Sequence, residues 1–121
     1  MQRVLITLCI FTLVAAGSLA LAEGAVKPDA ARGKEVYLIY CLACHGPNYD
    51  GKGPVGVALP VPPRDFTLGE FKYGATDQDI FDTITNGAAS KGASPLMAPW
   101  GAVIPEPDRW AVLRFIRSVK E

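Results

Sequence analysis

The chain has 121 residues, of which half are hydrophobic, and it carries 12 basic residues, 12 acidic residues, 3 cysteines and 1 histidine. This length suits one small domain. The balanced charge excludes the basic field that nucleic-acid binding requires, so we expect no nucleic-acid partner.

The N-terminal segment predicts export. Arg3 gives a positive start, the following residues are almost entirely apolar, and Ala20-Leu21-Ala22 has small residues at the positions that a signal peptidase reads. We therefore interpret residues 1–22 as a cleaved signal peptide and residues 23–121 as a periplasmic domain. The alternative is an uncleaved membrane anchor, because the apolar stretch approaches the roughly 18–20 residues that span a bilayer. Domains as short as the remaining 99 of 121 residues often depend on a staple or a cofactor.

Helical patterns and long loops alternate along the rest of the chain, and no segment alternates as a strand would. The first helix is predicted from a cap at Asp29 to about Cys44, and Gly33 within it suggests that another backbone or ring approaches closely. Three further features complete the pattern: a helix behind the Thr76–Asp79 capping box that stops at Asn86-Gly87, a last helix from about Asp108 to Val119, and Gly- and Pro-rich loops at 46–75 and 88–107. The sequence therefore predicts an all-α domain. A loop as long as 46–75 is reasonable only if it wraps a large ligand.

The run Cys41-Leu42-Ala43-Cys44-His45 carries the chemistry. Two cysteines three residues apart at the end of a helix place both sulfurs on one side, where they can form thioethers with the vinyl groups of one haem. The adjacent histidine can then ligate the iron. This pattern predicts one covalently attached haem c.

Two other cysteine sites compete with that interpretation. A redox Cys-x-x-Cys usually opens a helix, where the helix dipole lowers the thiol pKa, whereas this run closes one. Zinc needs four ligands, and His45 is the single histidine of the chain. Both alternatives are weaker than haem.

The second iron ligand is predicted by elimination. A second histidine does not exist, and Met97 is the one methionine outside the predicted signal peptide. It lies in the proline-bracketed loop Ser94–Trp100, which can present a side chain rigidly. The alternatives are that Met97 fills the core or that the iron has an open position.

Over nearly its whole length, the chain after the predicted signal peptide resembles the class I c-type cytochromes, the bacterial monohaem cytochrome c family. The helix that ends in Cys-x-x-Cys-His, the Gly-Pro loop, the late methionine and the aromatic-bearing last helix occur in the order of that family. The resemblance implies three to five helices and long loops wrapped around one haem. It departs from mitochondrial members because a lysine-rich face is missing, which puts a strongly acidic docking partner in doubt.

The resemblance also implies roles for individual residues. Gly33 and Tyr37 should pack against Phe115 where the first and last helices cross. The Pro54 carbonyl should accept a hydrogen bond from His45 Nδ1–H. Arg64 should pair with a haem propionate, or else be a solvated charge, and Trp100 should pack near the propionate edge, or else belong to the core.

Ligation by a histidine and a methionine predicts a one-electron carrier and not an enzyme, with redox proteins docking at the exposed haem edge. The main hypothesis is a soluble monomeric shuttle between exported or membrane redox proteins. The alternative is a dedicated electron-transfer subunit of a periplasmic dehydrogenase or oxidase complex. A haem enzyme or gas sensor would need an open sixth position, and the chain offers no second histidine as a distal group.

Overall fold

A computed structural model describes residues 29–120. The predicted signal peptide of residues 1–22 lies outside this range. The described chain forms helices α1 (Ala30–Tyr40), α2 (Leu42–His45), α3 (Asp77–Asn86) and α4 (Glu106–Ser118), with 3₁₀ turns at Gly56–Ala58 and Ala88–Lys91. Residues 29–120 contain no strand, so the all-α prediction is confirmed. Within the same range, every helix is too short or too polar to cross a membrane.

The first predicted helix is divided into two. Asp29 caps α1 as expected, because its carboxylate accepts a hydrogen bond from the Ala31 amide at 3.0 Å. At Cys41 the backbone leaves ideal helical geometry, with φ at −111°, and α2 begins at the next residue. The attachment run therefore lies on its own short helix, which ends at Gly46 with a φ of 83°.

The capping box of α3 forms as predicted. The Thr76 hydroxyl accepts from the Asp79 amide at 3.1 Å, and the Asp79 carboxylate accepts from the Thr76 amide at 3.3 Å. Behind it, Ile80 and Ile84 are buried. The helix ends at Gly87 as predicted, where φ is 78°.

Helix α4 begins two residues earlier than predicted, at Glu106, with Pro105 as its N-cap. The shift has a simple cause. Pro107 lies in the first turn, where a missing backbone N–H costs no hydrogen bond, so this proline can lie inside the helix.

Helices α1 and α4 cross at Gly33. A Cβ placed on Gly33 would overlap the Ala111 carbonyl and would lie 2.7 Å from the Phe115 Cβ. Beside this crossing the Tyr37 ring meets the Phe115 ring edge to face, with centroids 5.5 Å apart. The predicted packing of Gly33 and Tyr37 on Phe115 is confirmed.

Candidate functional site

One cavity of about 670 Å³ lies between α1–α2, α3 and the loops. Its volume is typical of a cofactor pocket. It brings together six of the seven site residues predicted from the sequence: Cys41, Cys44, His45, Arg64, Met97 and Trp100. Apolar side chains of the core, among them Phe66, Ile80, Ile84 and Ile116, form much of its wall.

The attachment helix α2 is held by the loop that follows it. Its C-terminal carbonyls accept backbone hydrogen bonds of 2.9–3.1 Å from four loop amides: Gly46, Gly51, Gly53 and Val55. A Cβ on Gly56 would overlap the Cys44 carbonyl, so a glycine is required where this loop passes beneath the helix. A helix of four residues is unstable alone. The Gly-rich loop therefore fixes the positions of Cys44 and His45.

The imidazole of His45 is held on one edge and one face. Its Nδ1 lies 3.1 Å from the Arg64 carbonyl oxygen, and its ring stacks on Phe66 with centroids 4.5 Å apart and planes 16° from parallel. His45 is 9% exposed, and this burial holds the pKa of the imidazole below its ordinary value, although the Arg64 carbonyl acts in the opposite direction. A proton on Nδ1, donated to that carbonyl, leaves the Nε2 lone pair for a metal ion.

The expectation that the Pro54 carbonyl accepts this hydrogen bond is wrong in this structure. Pro54 is exposed and does not line the cavity. The physical reason is that the loop around Pro54 pairs with α2, where Gly53 and Val55 donate to its carbonyls. The chain returns to the imidazole only at Arg64. The sequence analysis assigned no role to Phe66, because it is one of four aromatic residues in this loop and nothing local distinguishes it from the others.

The two cysteines lie on the cavity wall, and no disulfide joins them. Burial raises the pKa of the Cys41 thiol to about 12, with a smaller contribution from Cys44. A thiol–disulfide site needs the opposite shift, because the thiolate is the reactive form. Among residues 29–120 no three His, Cys, Asp or Glu side chains cluster as a metal site would require. Both observations disfavour the redox and zinc alternatives.

Met97 reaches the same cavity from the loop between α3 and α4. Backbone hydrogen bonds fasten this loop to the rest of the chain. The Met97 carbonyl accepts from the Ala88 amide at 3.2 Å, and the Trp100 amide donates to the Ile84 carbonyl at 3.0 Å. The Trp100 ring also contacts the Tyr40 ring, with centroids 5.5 Å apart.

These residues fit a covalently bound haem. Two thiols on one helical turn suit two thioether bonds, an oriented imidazole and a thioether side chain suit the two axial positions of iron, and an apolar wall suits the porphyrin. A helical domain, without strands over residues 29–120, that places this set on one cavity defines a class I c-type cytochrome domain.

A family comparison then identifies the chain more closely. Residues 28–116 match the family described as cytochrome c oxidase, cbb3-type, subunit III, and the chain belongs to this family. It is an electron-transfer haem cytochrome with covalently attached haem c, as the resemblance implied.

Three known proteins place this match in context. The cbb3-type cytochrome c oxidase subunit CcoP of Azospirillum brasilense is 42% identical over 60 residues, which are 50% of this chain and 20% of that one. A chain of the reducing HAO-like protein complex of Kuenenia stuttgartiensis is 33% identical with a TM-score of 0.66, over 78% of this chain and 44% of that one. Cytochrome c6 of the diatom Phaeodactylum tricornutum, 17% identical, shows the fold alone, with a TM-score of 0.55 over 74% of this chain and 92% of its own. The match therefore spans about a fifth of the length of CcoP.

Proposed function

We propose that Cys41 and Cys44 bind the haem by thioether bonds, that His45 and Met97 ligate its iron, and that the chain moves one electron at a time. The observation that supports this most directly is that all four side chains line one cavity. The haem supplies the reversible one-electron change of its iron. The chain supplies the ligands, the apolar wall and the rigid loops that hold them.

Each part of the site favours rapid electron transfer. A Met97 thioether donates weakly and stabilises ferrous iron, so the reduction potential is higher than with two histidines. The apolar wall acts in the same direction, because it disfavours the additional positive charge of ferric iron. With His45 fixed on its edge and its face, little has to move between the two oxidation states.

Arg64 and Trp100 are proposed to meet the propionate edge. Both line the cavity, and their side chains can donate hydrogen bonds to a carboxylate. Arg64 has the additional advantage of a fixed positive charge.

The carrier is proposed to work as a subunit of a larger periplasmic redox complex. Two of the similar proteins bear the names of complexes, an oxidase subunit and an HAO-like protein complex. The family whose model matches residues 28–116 is itself described as an oxidase subunit.

Visible spectra with and without carbon monoxide test the ligand set. The wild type should give a c-type reduced spectrum that carbon monoxide does not change. Met97→Ala should retain its haem, bind carbon monoxide and have a lower reduction potential. Leu68→Ala, an exposed apolar residue outside the cavity, is the control and should behave as wild type. A Met97→Ala variant with the wild-type potential would contradict ligation by Met97.

Purification under mild conditions tests the assignment to a complex. The chain, tagged at its C-terminus and expressed in its own host, should elute with stoichiometric haem-containing partners from the membrane or soluble fraction. Elution as a free monomer would favour the shuttle hypothesis and would leave the ligand set untouched.

A further inference from the structure

Arg109 in the first turn of α4 is a buried arginine that no carboxylate neutralises. It is 8% exposed, and none of the ion pairs formed within residues 29–120 includes it. Its Nη1 donates to the Gly101 carbonyl at 3.0 Å and to the Ile104 carbonyl, while its buried Nε has no hydrogen-bond partner.

Such a placement is costly. Desolvation of a charge opposes folding, and the first turn of a helix is the positive end of its dipole, where a cation is disfavoured. A contact with Phe81 offsets part of this cost, because the guanidinium carbon lies 5.2 Å from the centroid of that ring. Phe81 in turn stacks on Trp110, with centroids 4.1 Å apart. Arg109 is therefore held firmly between α3 and α4.

The two carbonyls that Arg109 binds belong to the segment directly after Met97, which we term the 100–104 turn. The turn is closed by the Ile104 amide, which donates to the Trp100 carbonyl at 2.9 Å. It is joined to α3 by the Trp100 and Gly101 amides, which donate to the Ile84 and Thr85 carbonyls at 3.0 and 2.9 Å. Arg109 adds the connection to α4.

The link from this turn to Met97 is short and stiff. Only Ala98 and Pro99 separate Met97 from Trp100. Proline fixes its own φ and restricts the residue before it. A displacement of the 100–104 turn is therefore transmitted to the Met97 side chain and is not absorbed between them.

We propose that Arg109 is a positioning residue that keeps Met97 on the iron by fastening the 100–104 turn to α4. This inference rests on the proposed ligation by Met97. On this proposal, the buried charge of Arg109 opposes folding but serves the electron-transfer site, because loosening of the 100–104 turn would release Met97 and open the sixth position of the iron.

The test uses three variants of the haem-loaded protein. Arg109→Gln removes the charge and shortens the side chain, Arg109→Lys keeps the charge but replaces the planar guanidinium, and Arg114→Gln removes the same charge from an exposed position of α4. Two quantities are measured: amide hydrogen exchange at Trp100 and Gly101, and the rate of carbon monoxide binding to the reduced protein.

Arg109→Gln should raise both rates by about tenfold to a hundredfold, which corresponds to about 1.4–2.8 kcal/mol at 1.4 kcal/mol per tenfold change and agrees with the range for hydrogen bonds to charged groups. Arg109→Lys should recover part of this loss, and Arg114→Gln should match wild type. An increase of similar size in carbon monoxide binding and in exchange at these two amides, and not at amides across the core, would support the inference, because a general loss of stability would raise exchange at all of them.

Two results separate the possible failures. Faster exchange in Arg109→Gln with carbon monoxide still excluded would overturn the role of Arg109 and leave ligation by Met97 intact. Rapid carbon monoxide binding by the wild type would overturn ligation by Met97 itself, and with it the inference.

Discussion

The crossing of α1 and α4 makes Gly33→Ala the most informative change outside the site. The added Cβ would overlap the backbone carbonyl of Ala111, and the Phe115 Cβ would lie 2.7 Å from it. Neither contact can be relieved by a change of rotamer, because one partner is backbone and the other is the first atom of a buried side chain. The two helices would have to move apart along their contact.

The size of the effect follows from two opposing contributions. Overpacking costs 1–3 kcal/mol, and contact with rigid backbone places this site near the upper limit, at about 3 kcal/mol. Replacing glycine within a helix recovers about 1 kcal/mol. The net loss of unfolding free energy is therefore about 2 kcal/mol, which lowers Tm by about 8–16 °C in a domain of this size.

Denaturant and thermal unfolding of the haem-loaded protein, followed by circular dichroism, measure this loss. Lys34→Ala, at the next residue of α1 and exposed, is the matched control and should change stability by less than about 0.5 kcal/mol. A Gly33→Ala variant as stable as wild type, or more stable, would refute the close approach of the two helices.

Two further changes test contacts that hold the site in place, and a third tests the cap at the start of α3. Phe66→Leu removes the ring that stacks on His45, so stability should fall by roughly 1 kcal/mol and the electron paramagnetic resonance of ferric iron should broaden; an unchanged spectrum would contradict the role of Phe66. Tyr37→Phe leaves the buried Gly46 carbonyl without its 2.7 Å hydrogen bond, so urea unfolding should show a loss of about 1–2 kcal/mol; an unchanged unfolding midpoint would contradict the role of this bond. Hydrogen bonds from Thr76 and Lys91 hold the pKa of Asp79 below its ordinary value, so the stability they give is complete above about pH 3.9 and is lost as the pH falls through the lower folded-state pKa. Asp79→Ala should therefore be less stable than wild type near neutral pH, but it should lose less stability than wild type on acidification. Thermal scans near neutral pH and at a pH below the folded-state pKa of Asp79 measure both losses, and equal losses in the two proteins would contradict this coupling.

Local patterns accounted for most of the helices. Asp29, the Thr76–Asp79 capping box and Gly87 act on their immediate neighbours, so their effect can be read from the sequence. The start of α4 was predicted two residues too late, because a proline in the first turn looks like a break although it is compatible with one.

The sequence also predicted the site residues that lie next to each other in the chain, but it did not predict the contacts that depend on how a long loop folds. Cys41, Cys44 and His45 are adjacent in sequence, and Met97 followed by elimination, so no knowledge of the packing was needed. The partner of His45 Nδ1 lies 19 residues away along a Gly- and Pro-rich loop, and whether Pro54 or Arg64 supplies the carbonyl depends on how that loop folds. Arg109 illustrates the limit most clearly, since an arginine on a helix is ordinarily exposed and only the folded chain shows it buried.

The charge balance of the chain also determines how quickly a partner can be found. The chain carries 12 basic and 12 acidic residues, so it has no net charge at neutral pH. Without electrostatic steering, association proceeds at about 10⁵–10⁶ M⁻¹s⁻¹ and not at the 10⁸–10⁹ M⁻¹s⁻¹ of strongly complementary pairs, and added salt changes it little. A carrier that diffuses freely repeats this slow search for every electron, whereas one that stays beside its partner completes the search once.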